Sequence, residues 1–176
     1  TCALPIYEKY NQILRQLETD VANARFDTPE GKIELPVKLK VHESLFVPLA
    51  KWAMLLAGNY RCVTADGMRN TQDAVHADIE QSRSVYQFVF DLCVSLGAKP
   101  SDLVPFEKYA AAAQSLSRPA SAARALQNGA PNIERADKLV QLIARSKGFT
   151  HPAIDAQVAL VDQRLEANRQ KLANKA

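Results

Sequence analysis

The sequence predicts an all-α protein, a multi-helix bundle packed around one central buried helix, and three observations carry that prediction. Apolar residues recur at three- and four-residue spacing through most of the 176 positions, the signature of amphipathic helices. Almost nothing alternates with the two-residue period of a half-buried strand. One stretch, KLKVHESLFVPLAKWAMLLAG from Lys38 to Gly58, is apolar on nearly every side, and a helix of that kind must be covered by others. The periodic segments add up to about three quarters of the chain, against roughly a third in an ordinary globular protein.

The Lys38–Gly58 stretch is expected to be the central helix. Leu39, Leu45, Leu49, Trp52, Leu55 and Leu56 do not fall on one narrow stripe. His42, Glu43 and Lys51 interrupt the run before it reaches the ~18 uncharged residues of a membrane span. Pro48 cannot donate to the Ser44 carbonyl, so a kink and a freed acceptor are expected there. Lys38 with His42, and Lys40 with Ser44, are spaced to share helical faces. The plain reading of this polar turn is a solvated helix entry; the functional reading is a polar cluster beside a pocket.

In chain order, residues 3–24 read as one amphipathic helix bearing Leu4, Tyr7, Ile13, Leu14, Leu17 and Val21. Residues 26–36 read as a linker with a turn at 29–31 and a short extended piece at 32–35. After the central helix, a loop over 59–70 turns at Asp66 and Gly67. Thr71 is placed to cap a helix running to Leu96, with Val75, Ile79, Tyr86, Val89, Cys93 and Leu96 inward and Gly97 as its stop. Ser101 or Asp102 caps a helix holding the alanine run 110–113. Pro119 starts a short helix over 120–127, and Pro131 opens another over 132–147 with Ile133, Ala136, Val140 and Ile143 inward. His151 and Pro152 begin the last helix, whose stripe is Ile154, Val158, Val161, Leu165 and Leu172. Two parts follow: an N-terminal helix and linker, 1–35, and a helical domain, 36–176.

Composition narrows the function. A net charge of +3 is spread along the chain with no basic stripe interleaved with aromatics, which argues against nucleic acid. Cys2, Cys62 and Cys93 are odd in number and far apart, forming neither a CxxC pair nor a disulfide framework, so a reducing, cytoplasmic setting is expected. The opening TCALPIYEKY lacks the basic start and apolar core of a signal peptide. His42, His76 and His151 are too dispersed for a helix-borne metal site, and neither GxSxG nor a glycine-rich phosphate cradle occurs.

One resemblance goes further. Residues 119–152, PASAARALQNGAPNIERADKLVQLIARSKGFTHP, together with the following AIDAQVALVDQRL, resemble the end of the ketopantoate reductase family: a serine-led short helix, an x-Gly turn, a glutamate-bearing helix and a Gly-x-x-x-Pro hand-off. Lys38-Leu39-x-Val41-His42 is similar to that family's Lys-Leu-x-x-Asn entry to its central helix. His42 and Phe46 stand where the family has asparagines, and Pro48 comes one position late, a slip that would make Lys40 the matching lysine.

What the resemblance implies is a helical domain like the C-terminal domain of 6-phosphogluconate dehydrogenases, closing over a 2-oxo acid in an NAD(P)-dependent oxidoreductase. Lys38 would be the general acid that protonates the carbonyl oxygen, since an ammonium both stabilises growing negative charge and gives up a proton. Glu134, expected on the first turn of its helix, would orient the substrate hydroxyl or the lysine. Lys40, His42, Ser44, Ser121 and Asn132 would bind substrate. NADP would be held by a Rossmann domain, upstream or in trans, that this chain lacks, so the domain alone would be inactive; a homodimer is the expected assembly. The alternative is a helical interaction or dimerisation module without chemistry.

Overall fold

A computed structural model describes residues 8–35, 37–42 and 44–174. Leu4 and Tyr7 of the expected first stripe, with Cys2 and Glu43, lie outside the described residues. Helix makes up 64% and strand 6%, so the chain is all-α in class. It divides into two compact units, Thr1–Val47 and Pro48–Ala176.

The first unit opens with α1 (Glu8–Asn23), none of whose residues is buried. It is followed by an antiparallel hairpin, β1 (Arg25–Thr28) and β2 (Gly31–Glu34), in which Arg25 faces Glu34 and Phe26 faces Ile33. Gly31 has φ +123°, a conformation that glycine alone adopts without strain. What the sequence suggests as a linker with one extended piece is thus a paired ribbon.

The helix expected to begin at Lys38 does not. Residues 37–42 are irregular, and the chain turns at Leu45 and Phe46. The reason is a long-range competitor: the Val41 N–H, which a helix would have used internally, donates to Glu18 Oε2 at 3.1 Å. Pro48 accordingly kinks nothing. It sits in a 3-10 turn, Val47–Leu49, ahead of α2 (Ala50–Met54), where the N–H it lacks would have had no helical partner.

In the second unit α2 runs into a π-turn over Leu55–Asn59 and a 3-10 turn over Tyr60–Cys62. This 50–62 segment is the true centre. It packs on α3 (Thr71–His76), α4 (Ile79–Ser95), α6 (Ser121–Gln127), α7 (Ala136–Ser146) and α8 (Pro152–Ala173). Leu56, Ala57, Tyr60, Cys62 and Val63 are buried there, and Tyr60, Cys62 and Val63 join Leu126, Val161 and Leu165 in one cluster. Burying each leucine contributes about 1.5–3 kcal/mol. The π-turn widens the helix by one residue per turn, and the Met54 carbonyl accepts from the Tyr109 hydroxyl at 3.1 Å.

Two further expectations are corrected by capping side chains. The helix foreseen from Thr71 to Leu96 is two helices, because Asp78 takes the Gln81 N–H at 2.9 Å and starts α4 afresh. Asn70, not Thr71, caps α3, accepting from the Asp73 N–H at 2.7 Å. The alanine run belongs to α5 (Phe106–Ala113), which follows Pro105 rather than a cap at Ser101 or Asp102. Of the α8 stripe, Ile154, Val158, Val161 and Leu165 are buried, whereas Leu172 is 57% exposed because α8 has by then outrun its neighbours. No helix among the described residues is long and apolar enough to cross a membrane.

Candidate functional site

The residues singled out from sequence are shared between the two units. In the first, Lys38 is exposed and lines a groove with Arg15, Glu18, Thr19 and Glu34. Lys40 Nζ lies 2.6 Å from Glu18 Oε1. The Lys40 hydrogen bond, then the Val41 N–H, hold the Glu18 carboxyl below its ordinary range. His42 is exposed, and the Ser44 hydroxyl accepts from the Phe46 N–H at 3.2 Å. Without a helix over 38–42, Lys38 and His42, and likewise Lys40 and Ser44, lack the helical i,i+4 spacing expected of them.

In the second unit Ser121 is the first residue of α6 and is exposed in a groove shared with Asn59, Thr71, Ser117, Arg118 and Arg124. The π-turn delivers Asn59 to one wall. The other wall is the 115–120 turn, pinned from below: the Thr71 N–H and hydroxyl both donate to the Arg118 carbonyl at 3.2 Å, and the Gln72 N–H donates to the Leu116 carbonyl at 3.1 Å. Neither Arg118 nor Arg124 has a carboxylate partner among the described residues, and no Asp or Glu lines the groove. Two guanidinium groups beside hydroxyls and an amide, with no acid between them, suit a small oxoanion such as a carboxylate.

Asn132 and Glu134 do not line this groove. Asn132 Oδ1 accepts from Arg169 at 3.2 Å. Glu134 precedes α7 instead of lying in its first turn, because α7 begins only at Ala136. Its carboxylate is exposed and has no hydrogen-bond or ion-pair partner among the described residues. Its carbonyl, by contrast, is held by the Tyr60 hydroxyl at 2.6 Å, and that hydroxyl accepts the Ala136 N–H at 2.9 Å. Tyr60 therefore occupies the bonds that would have extended α7 backwards. Burial, reinforced by the charge of Asp137, pushes its phenol up to about 12, so it remains a neutral donor. Tyr60→Phe is expected to leave one carbonyl and one N–H unsatisfied and to cost about 2 kcal/mol, measured as a fall in urea midpoint at unchanged slope.

Sequence reading missed Arg118, Arg124 and Asn59. The signal present was SRPASAAR, in which two arginines bracket Ser121. Among the described residues no group of three or more His, Cys, Asp or Glu is placed to hold a metal ion. The described strands form one antiparallel hairpin. No family model, curated protein or solved structure matches the chain.

Proposed function

We propose that this chain is the substrate-binding helical domain of an NAD(P)-dependent oxidoreductase acting on a 2-oxo acid, of the ketopantoate reductase type and with the 6-phosphogluconate dehydrogenase C-terminal-domain fold. The observation that carries the reading is the acid-free groove at Ser121 with Arg118 and Arg124 on its wall. A 2-oxo acid presents a carboxylate for the arginines and a ketone oxygen for a hydroxyl donor. Binding is the share of the reaction assigned to Ser121. Lys38, which lines a groove of the other unit, and Glu134, which lies outside the Ser121 groove, are given no part in this site. NADP, which supplies the hydride when bound, belongs to a separate nucleotide-binding domain, so the chain alone binds but does not reduce.

Calorimetric titration with pyruvate and 2-oxobutanoate tests this, with the corresponding amides as controls. The acids are expected to bind and the amides not. Arg118→Ala combined with Arg124→Ala is expected to weaken binding at least about tenfold, the value of losing one charge-assisted pair. Equal binding of acid and amide overturns the reading.

A second reading has one observation in its favour. Tyr10, Ile13, Leu14 and Leu17 of α1 are 39–57% exposed on a helix with no buried residue, which supports a homodimerising or interaction module. If the chain self-associates in solution and binds no 2-oxo acid, that reading replaces the first.

A further inference from the structure

The groove at Ser121 has a volume of about 440 Å³, within the range that holds a drug-sized ligand and more than an acid the size of pyruvate fills. Ser121 stands three residues from each of the two arginines. Arg118 lies in the turn before α6, its carbonyl held by Thr71, and Ala120, at φ −60° and ψ 154°, carries the chain in extended form to the helix. Arg124 lies inside α6, its N–H bonded to the Ala120 carbonyl at 3.1 Å, about 4.5 Å along the axis from Ser121. The two guanidinium stems therefore leave the backbone on opposite sides of the Ser121 hydroxyl. Both arginines are exposed, and their like charges favour separate acceptors over a shared one. On the other wall the Asn59 amide is half-buried and has no hydrogen-bond partner among the described residues.

We propose that the ligand of this groove is a 2-oxo dicarboxylic acid, an inference that rests on the reading of Ser121 as part of a 2-oxo acid site. The charge count selects two carboxylates over one. Two guanidiniums and no acid give the lining a charge of +2; a monocarboxylate neutralises one of them, whereas a diacid spans both. One carboxylate pairs with Arg118 and the other with Arg124, each held by a planar fork that matches it. The ketone oxygen lies between them and accepts from the Ser121 hydroxyl. The Asn59 amide supplies further N–H donors for lone pairs that the arginines leave open. An apolar tail finds little here, because Leu116 is the one large apolar side chain of the lining and is itself 43% exposed.

Calorimetric titration of the full chain at one ionic strength compares 2-oxoglutarate with 2-oxopentanoate, an acid of equal length that ends in a methyl group. The diacid is expected to bind at least about tenfold tighter, the effect of one further charge-assisted pair. Arg118→Gln and Arg124→Gln, made singly at exposed positions that tolerate such changes, are each expected to erase that preference, so that either variant binds the two acids equally. Equal affinity in the parent, or a preference kept in either variant, overturns the dicarboxylate proposal while the 2-oxo acid reading stands. Failure of both acids to bind overturns that reading and the proposal with it.

Discussion

Replacing Asp137 by alanine is expected to destabilise the fold by about 3 kcal/mol, a fall in Tm of about 6–12 °C for a chain of this size. Asp137 is 1% exposed and sits in the first turn of α7, where the helix dipole favours a carboxylate. Its two oxygens are both occupied by Arg135, which also reaches Asp162 at 2.5 Å, and Lys138 closes the network on Asp162 at 2.6 Å. Burial alone would push the Arg135 guanidinium down, but its hydrogen bonds to Asp137 and Asp162 hold it above its ordinary value. Alanine strands that guanidinium with one partner. Retention of Asp162 keeps the cost at the lower end of the range for broken buried pairs.

The pH dependence gives a second readout of the same network, through Asp162. Burial raises the Asp162 carboxyl, yet the Lys138 and Arg135 hydrogen bonds outweigh it and leave the group below its ordinary range. A depressed carboxyl contributes stability in full above its unfolded value of about 3.9 and loses it as pH falls through the folded value. The deficit of Asp162→Asn relative to the parent is therefore expected to be full at pH 7 and to narrow below about pH 4. Denaturant melts at pH 7 and pH 3 measure it, and a deficit that widens on acidification contradicts the network.

Gly58→Ala is the other large effect, at about 3 kcal/mol from overpacking together with a lost hydrogen bond. A Cβ at residue 58 would stand 1.9 Å from the Tyr109 hydroxyl oxygen and 3.2 Å from Val75 Cγ2. Tyr109 has little room to retreat. It is buried, stacked on Tyr86 at 5.4 Å, and bonded to the Met54 carbonyl. Removing the hydroxyl by Tyr109→Phe leaves the ring carbon at 3.2 Å as the nearest contact. In that background Gly58→Ala is expected to cost about 1 kcal/mol less, a coupling that a double-mutant cycle detects. Equal cost in both backgrounds would show that the clash is not with Tyr109.

The parts of the fold legible in the sequence are those decided within one or two helical turns. The α8 stripe from Ile154 to Leu165, the Gly97 stop with φ +110°, and the short helix after Pro119 all follow from spacing and turn chemistry. The errors fall where a side chain captured a backbone group. Asp78 split one expected helix into two, Tyr60 held residues 134–136 out of α7, and Glu18 took the Val41 N–H. Of the candidate site, Ser121 was legible as the leader of a short helix, whereas Arg118 and Arg124 were not singled out, because nothing in their spacing marks a shared groove.

By itself the sequence determined that this protein is helical, that the 50–58 part of the expected central helix would be buried among the others, and which faces of α4 and α8 turn inward. Periodicity and backbone stereochemistry are local, so they can be read without a partner. Only the tertiary structure decided that 38–42 is not a helix, that a π-turn brings Asn59 to Ser121, and that two arginines share a groove without an acid. Each of those outcomes depends on a hydrogen bond or an approach between residues distant along the chain, and no spacing rule records which distant group arrives.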